Sequence, residues 1–338
     1  NFYGCLILQN FILVLVISTL AFLTIKLASL FNIEYFKNIN IFFYFSTIFF
    51  LSIQNFFKRL FFLQKKNING ILSNFISYIS LIILIIYFYL NNQLDINYIL
   101  ISYSISFFLG SLLSFNNIKT INFNKKINIY FLKENWKISK WIFFSNILYW
   151  FSGYFWVIIL GLMVNPSLVS IVRASTTLAY TVNILYQALE NIIPSNISEN
   201  YNMYGLQKTH FFIKKLCREY FIMSLIFCLI ISLFAEQIMT LIYGEVLLNY
   251  SFLLIFFCLL NLINCFQYPI IAGFRTFKYT KPIFNSYFLS SIFTTIFAYP
   301  LIYIFNLNGF MIGLFLNQMI LICSFIFFYY LFVESKLK

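Results

Sequence analysis

Charge is what this sequence has least of: only 9% of its 338 residues are Asp, Glu, Lys or Arg. A water-soluble domain of that length needs far more charge to cover its surface, so a soluble globular fold is excluded. Acid is scarcest, with nine carboxylates against 22 basic residues and a single aspartate, Asp95. The one histidine, His210, rules out a His-based metal site. The six cysteines (Cys5, Cys217, Cys228, Cys258, Cys265 and Cys323) form no Cys-x-x-Cys pair, and within an apolar run a lone cysteine acts as a small apolar residue. No G-x-x-x-x-G-K-[ST] loop is present, so there is no built-in ATPase. An acidic ring or filter-like loop is also lacking, which makes a channel a poor fit. Without a long extramembrane loop or a His/Asp cluster, an integral polysaccharide polymerase or transferase is disfavoured. Nothing in the sequence asks for a cofactor or a metal, and no enzymatic signature is found. The chain begins at Asn1, with no charged region ahead of the first apolar run. It therefore reads as N-terminally incomplete rather than as carrying a signal peptide.

What the sequence has is apolar bulk. It is 62% hydrophobic and 22% aromatic, with a mean hydropathy of +0.88, and apolar runs near the length of a bilayer-spanning helix recur throughout. The class is an all-α polytopic membrane protein. Ten spans can be drawn: A (6–30), B (41–62), C (70–90), D (96–115), E (137–163), F (166–192), G (212–235), H (248–274), I (281–304) and J (308–333). The net charge of +13 would suit nucleic acid in a soluble protein. Here the basic residues sit in loops between spans, which favours membrane lipids as partners and not nucleic acid.

Every second loop is basic. Lys58, Arg59, Lys65 and Lys66 cluster at the B–C connection and the end of B, and Lys119, Lys125, Lys126 and Lys133 lie between D and E. Lys208, Lys214, Lys215 and Arg218 cluster at the F–G connection and the start of G, and Arg275, Lys278 and Lys281 at the H–I connection and the start of I. The alternate loops carry almost no basic charge. The positive-inside rule then puts the C-terminus in the cytoplasm. The B–C connection FFKRLFFLQKKNINGILSNFISYIS resembles the H–I connection GFRTFKYTKPIFNSYFLSS in the same orientation, as in transporters built from parallel repeats. Pairing B with H leaves E and F without partners. The expected architecture is therefore a two-lobed parallel-repeat bundle around a central cavity, with the first two N-lobe helices missing. Residues 1–115 would be a partial N-lobe, 116–135 a basic cytoplasmic linker and 136–338 the C-lobe.

The stretch from Trp136 to Pro194 holds all four tryptophans and Arg173, the one arginine set well inside an apolar segment. On span F, Arg173, Thr176, Thr177, Tyr180, Asn183, Gln187, Glu190 and Asn191 fall within an arc of about 140° at helical spacing. Such a stripe faces a bundle interior or an aqueous cavity, or else serves inter-helix hydrogen bonding. Glu190 lies about 25 Å along the helix from Arg173 and cannot neutralise it. An unpaired guanidinium suits a phosphate-containing ligand; the competing reading is a side chain snorkelling to the interface. Span E offers a matching arc of Ser139, Asn146, Tyr149, Trp150, Gly153 and Trp156, whose aromatic rings beside polar groups suit sugars. Trp136 and Trp141 fit better as interfacial anchors.

Trp136–Gly153 (W-K-x-x-K-W-x-x-x-S-x-x-x-Y-W-x-S-G), V-R-A-S-T-T-L at Val172–Leu178 and Q-A-L-E-N-x-x-P at Gln187–Pro194 carry a resemblance. So do Gln54–Arg59, Leu241–Gly244 and Ala272–Arg275. In order and topology they resemble the Wzx-type oligosaccharide flippases of bacterial polysaccharide synthesis, within the multidrug/oligosaccharidyl-lipid/polysaccharide exporter superfamily. The resemblance implies two six-helix lobes arranged as a V, in the bacterial inner membrane. It also implies transfer of undecaprenyl-pyrophosphate-linked oligosaccharide, such as an O-antigen or capsule repeat unit, from the inner to the outer leaflet. Arg173 would then meet pyrophosphate or an acidic sugar, and Thr177, Tyr180, Asn183, Gln187, Glu190, Asn191, Asn146, Tyr149, Trp150 and Trp156 would line the cavity. Coupling to a proton or a sodium ion stays open. The alternative is a cation-coupled multidrug exporter of the same superfamily, which favours buried carboxylates that this chain lacks at mid-membrane depth.

Overall fold

The computed structural model describes residues 2–30, 40–64, 66–112, 125–190 and 193–337. Among these residues there is no strand, and the protein is all-helical. Six stretches are long and apolar enough to cross a bilayer, and two shorter apolar helices accompany them, so this is a multi-pass membrane protein. The chain divides into two compact units, Asn1–Glu134 and Asn135–Lys338.

The first unit contains α1 (Phe2–Leu30), α2 (Ile41–Leu63), α3 (Asn67–Leu90) and α4 (Ile96–Leu112). Helix α2 packs against α1, α3 and α4, and α3 against α4. In hydrocarbon the hydrophobic effect does not hold helices together, so small and polar residues must do so. Ser46 and Ser104 hydroxyls meet at 2.7 Å, Thr47 donates to the Leu100 carbonyl at 2.9 Å, and Gln54 Nε2 donates to Asn74 Oδ1 at 2.8 Å. Ser73 Oγ donates to the Gly110 carbonyl at 2.8 Å. Gly110 is needed there, because a Cβ at that position would overlap Ser77.

The second unit begins within α5 (Lys125–Met163) and continues through α6 (Pro166–Ala179), a 3₁₀ turn at Tyr180–Val182, α7 (Asn183–Glu190) and α8 (Ile193–Leu233). It ends with α9 (Ala235–Tyr243), a 3₁₀ turn at Glu245–Tyr250, α10 (Ser251–Asn264), α11 (Gln267–Thr276) and α12 (Lys281–Leu337). Asn165 starts α6 as expected of an Asn-Pro-Ser turn: its side chain accepts from the Ser167 N–H at 2.9 Å, and Pro166 opens the helix. Two apolar clusters fill the unit. One is centred on Tyr186, Tyr220, Tyr287 and Phe325, the other on Trp156, Phe257 and Phe310.

Several expected boundaries move. Lys125–Glu134, expected as linker, is helical, while 113–124 lie outside the described residues. Span G extends back to Ile193 with a break at Gly205, whose φ of 74° needs a glycine. Spans I and J form α12 with a break at Asn306, φ 50°. Spans F and H are each interrupted: F at Tyr180–Val182, H between Asn264 and Gln267.

Candidate functional site

The two interruptions face each other, and the reason lies in backbone hydrogen bonding. At the break in span F the Asn183 N–H turns to the Tyr180 carbonyl and not to Ala179, its partner in a continuous α-helix. A carbonyl released in a low-dielectric interior needs a donor. Asn261, 1% exposed on α10, supplies it: its Nδ2 donates to Ala179 O at 2.9 Å. Removing that donor with Asn261→Leu is expected to cost about 1–3 kcal/mol, read as a lower thermal unfolding temperature of the purified protein. An unchanged unfolding temperature would show that the break does not depend on Asn261.

Around these breaks lies a cavity of about 330 Å³, wholly within the second unit. Helix α5 lines it with Tyr149, Gly153, Tyr154 and Val157, and α6 with Val172, Arg173, Thr176 and Thr177. Tyr180 and Asn183 come from the broken stretch, Asn261, Asn264, Gln267 and Tyr268 from the second break, and Phe310, Leu314 and Gln318 from α12.

Among the described residues lining it, Arg173 is the only charged one. Its guanidinium sits 4.5 Å from the centre of the Tyr154 ring, and Tyr154 in turn stacks on Trp150 at 5.1 Å. A cation held against an aromatic face keeps its hydrogen-bonding edge free for a ligand. The Thr176 and Thr177 hydroxyls both donate to the Arg173 carbonyl, at 2.9 and 2.8 Å, so each keeps its oxygen as an acceptor on the wall. The rest of the wall combines apolar side chains, among them Val157, Phe257, Phe310 and Leu314, with amides and phenols. Gln267 Nε2 donates to Asn264 Oδ1 at 2.6 Å, and Tyr268 OH reaches Asn183 Oδ1 at 3.4 Å. Gln318 Oε1 is buried and has no hydrogen-bond partner among the described residues.

Of the residues singled out from sequence, the fold brings Arg173, Thr177, Tyr180, Asn183 and Tyr149 together on this cavity. Trp150 stands behind Tyr154, not on the wall, and Asn146 is exposed one turn earlier on α5. Trp156 is 0% exposed, donating its indole N–H to Thr294 Oγ1 at 3.1 Å, and belongs to the core. Gln187 is exposed on α7 away from the cavity. Glu190 accepts from Arg275 Nη1 at 2.7 Å, a partly exposed ion pair between α7 and the end of α11. Asn191 lies outside the described residues. Asn261, Asn264, Gln267, Tyr268 and Gln318 join the wall from outside the two polar stripes of spans E and F. The polar residues of the segment L-N-L-I-N-C-F-Q-Y-P (260–269), ending in a proline, were the available signal for the second break.

No protein-family model matches the chain, and no curated protein matches it. Solved structures do. An outward-facing multidrug resistance MATE family transporter of the MOP superfamily superposes with a TM-score of 0.77 at 13% identity, covering 98% of this chain and 78% of its own. A mutant of the Vibrio cholerae MATE transporter VcmN gives 0.81 at 14% identity, covering 97% and 78%. A MOP superfamily transporter from Pyrococcus furiosus, described by a reversed polarity of its binding pocket that suggests a different function, gives 0.72 at 15% identity, covering 99% and 80%. The protein has the two-lobed helical fold of the MOP-superfamily transporters.

Proposed function

We propose that the protein flips undecaprenyl-pyrophosphate-linked oligosaccharide repeat units across the bacterial inner membrane by alternating access, without covalent chemistry. One observation carries the reading: among the described residues lining the cavity, Arg173 is the only charged one, and amides and phenols share the wall with apolar side chains and no carboxylate. An arginine in such surroundings favours a di- or monophosphate bound through paired hydrogen bonds, and the amides and rings around it favour hydroxyl-rich sugars. A volume of about 330 Å³ is at the small end of ligand pockets, so it would take the head of an extended lipid-linked molecule and not the whole of it.

A second reading is a multidrug exporter, favoured by the MATE transporters among the similar structures. A cationic drug would meet the Arg173 charge head-on. The Pyrococcus furiosus protein, whose reversed pocket polarity is said to suggest a different function, is a precedent for weighing pocket charge in this way. Proteoliposomes holding the purified protein separate the two. The flippase reading expects a fluorescent polyprenyl-diphosphate sugar to become accessible in the opposite leaflet, with no uptake of ethidium. Ethidium uptake without lipid transfer would overturn it.

A further inference from the structure

About 12 Å along α5 from the cavity's Tyr149, at 1.5 Å per residue, a second site is built where α5 meets the start of α12. The Thr280 hydroxyl donates to the Ile138 carbonyl at 2.9 Å and fastens the two helices. Trp141 lies in the seam, its ring 5.3 Å from that of Phe284. Two ammonium groups from different helices converge on this one indole: Lys140 Nζ at 5.3 Å and Lys281 Nζ at 5.8 Å from the ring centre. They can be no farther apart than the sum of those distances. Neither lysine has a carboxylate partner among the described residues. Two cations held on one indole with no carboxylate beside them concentrate positive charge at the seam. An anion seated there would neutralise it.

The surroundings say which kind of anion. Phe284 stacks on Phe288 at 5.8 Å, and Phe288 is 47% exposed, as is Phe144 one turn beyond Trp141. The cationic seam therefore opens directly onto an apolar, outward-facing strip. The geometry points to a binding site for an anionic phospholipid, its phosphate held between Lys140 and Lys281 over Trp141 and its acyl chain lying along Phe284, Phe288 and Phe144. Basic clusters between helices at the membrane surface recognise lipid phosphates in this way. The site does not touch Arg173 or the cavity and does not depend on what the cavity carries.

The test is native mass spectrometry of the full chain in non-ionic detergent, titrated with phosphatidylglycerol or phosphatidylcholine. Wild type should prefer phosphatidylglycerol, and the Lys140→Gln/Lys281→Gln variant should lose that preference, with affinity falling about 10- to 30-fold. The Lys140→Arg/Lys281→Arg variant should keep it. Lys208→Gln, which removes a lone cation from the Tyr204 ring, should bind like wild type. Should the double Gln variant fail to fold, single Lys281→Gln carries the same test with a loss of about fivefold. The proposal is overturned if the Gln variants bind phosphatidylglycerol as tightly as wild type, or if Lys208→Gln weakens binding equally. It is overturned too if millimolar inorganic phosphate displaces the lipid, since the site would then be one for free phosphate.

Discussion

Arg173→Ala is expected to lower transfer of a polyprenyl-diphosphate oligosaccharide about 10- to 100-fold, because a charge-assisted hydrogen-bonding partner worth roughly 1.5–3 kcal/mol is lost. In cells this should abolish surface polysaccharide while the protein remains at its normal level in the membrane. The second half of that expectation follows from what Arg173 touches. It makes no ion pair among the described residues, and it lies over the face of Tyr154, which keeps its stack on Trp150 without it. The Thr176 and Thr177 hydroxyls bond to the Arg173 backbone carbonyl, which alanine retains. Stability and transport should therefore separate. Arg173→Lys preserves the charge but not the planar fork, so it should fall between wild type and alanine. Normal polysaccharide from the alanine variant would remove Arg173 from substrate binding, whatever the variant's abundance.

The stripe that pointed to Arg173 was legible because α6 is regular as far as Ala179, where helical spacing places Arg173 and Thr177 on one face. Beyond that residue the same spacing misleads. A 3₁₀ turn advances about 120° per residue against about 100° in an α-helix, so the three residues Tyr180–Val182 add about 60° of rotation. Asn183, at the turn, still reaches the cavity, whereas Gln187 and Glu190 are carried away from it, the latter to Arg275. Neither proline nor glycine marks that interruption. It is stabilised from another helix by Asn261, a long-range contact that spacing within one segment does not reveal. On α5 helical spacing puts Trp156 only about 20° from the lining residue Tyr149, so spacing alone does not separate the two. Trp156 is taken into the core by α12, which offers its ring the space at Gly313 and its N–H the Thr294 hydroxyl. The helical class was legible from apolar run length alone, since lipid admits few other ways to satisfy a backbone.

Trp156→Ala is expected to destabilise the second unit by about 3–5 kcal/mol, a large share of a typical total stability. The ring is fully buried in the cluster with Phe257 and Phe310, and its N–H is one member of a closed polar set. Thr294 Oγ1, which accepts from it, lies 3.3 Å from Asn317 Oδ1, and Asn317 Oδ1 accepts from Ser290 Oγ at 2.7 Å. Trp156→Phe keeps most of the volume and loses mainly the hydrogen bond, for about 0.5–1.5 kcal/mol. The opposite wall gives an independent check. Gly313 has no side chain because the six-membered ring of Trp156 occupies the space its Cβ would need. Gly313→Ala should therefore cost about 1–3 kcal/mol through overpacking in wild type. In the Trp156→Phe background the cost should be smaller, because the shorter ring withdraws from Gly313. Thermal unfolding of the four proteins in detergent measures that coupling directly. Additive losses would mean that the indole does not pack on Gly313, and a neutral Gly313→Ala would mean that α5 and α12 are not fitted to each other at that point.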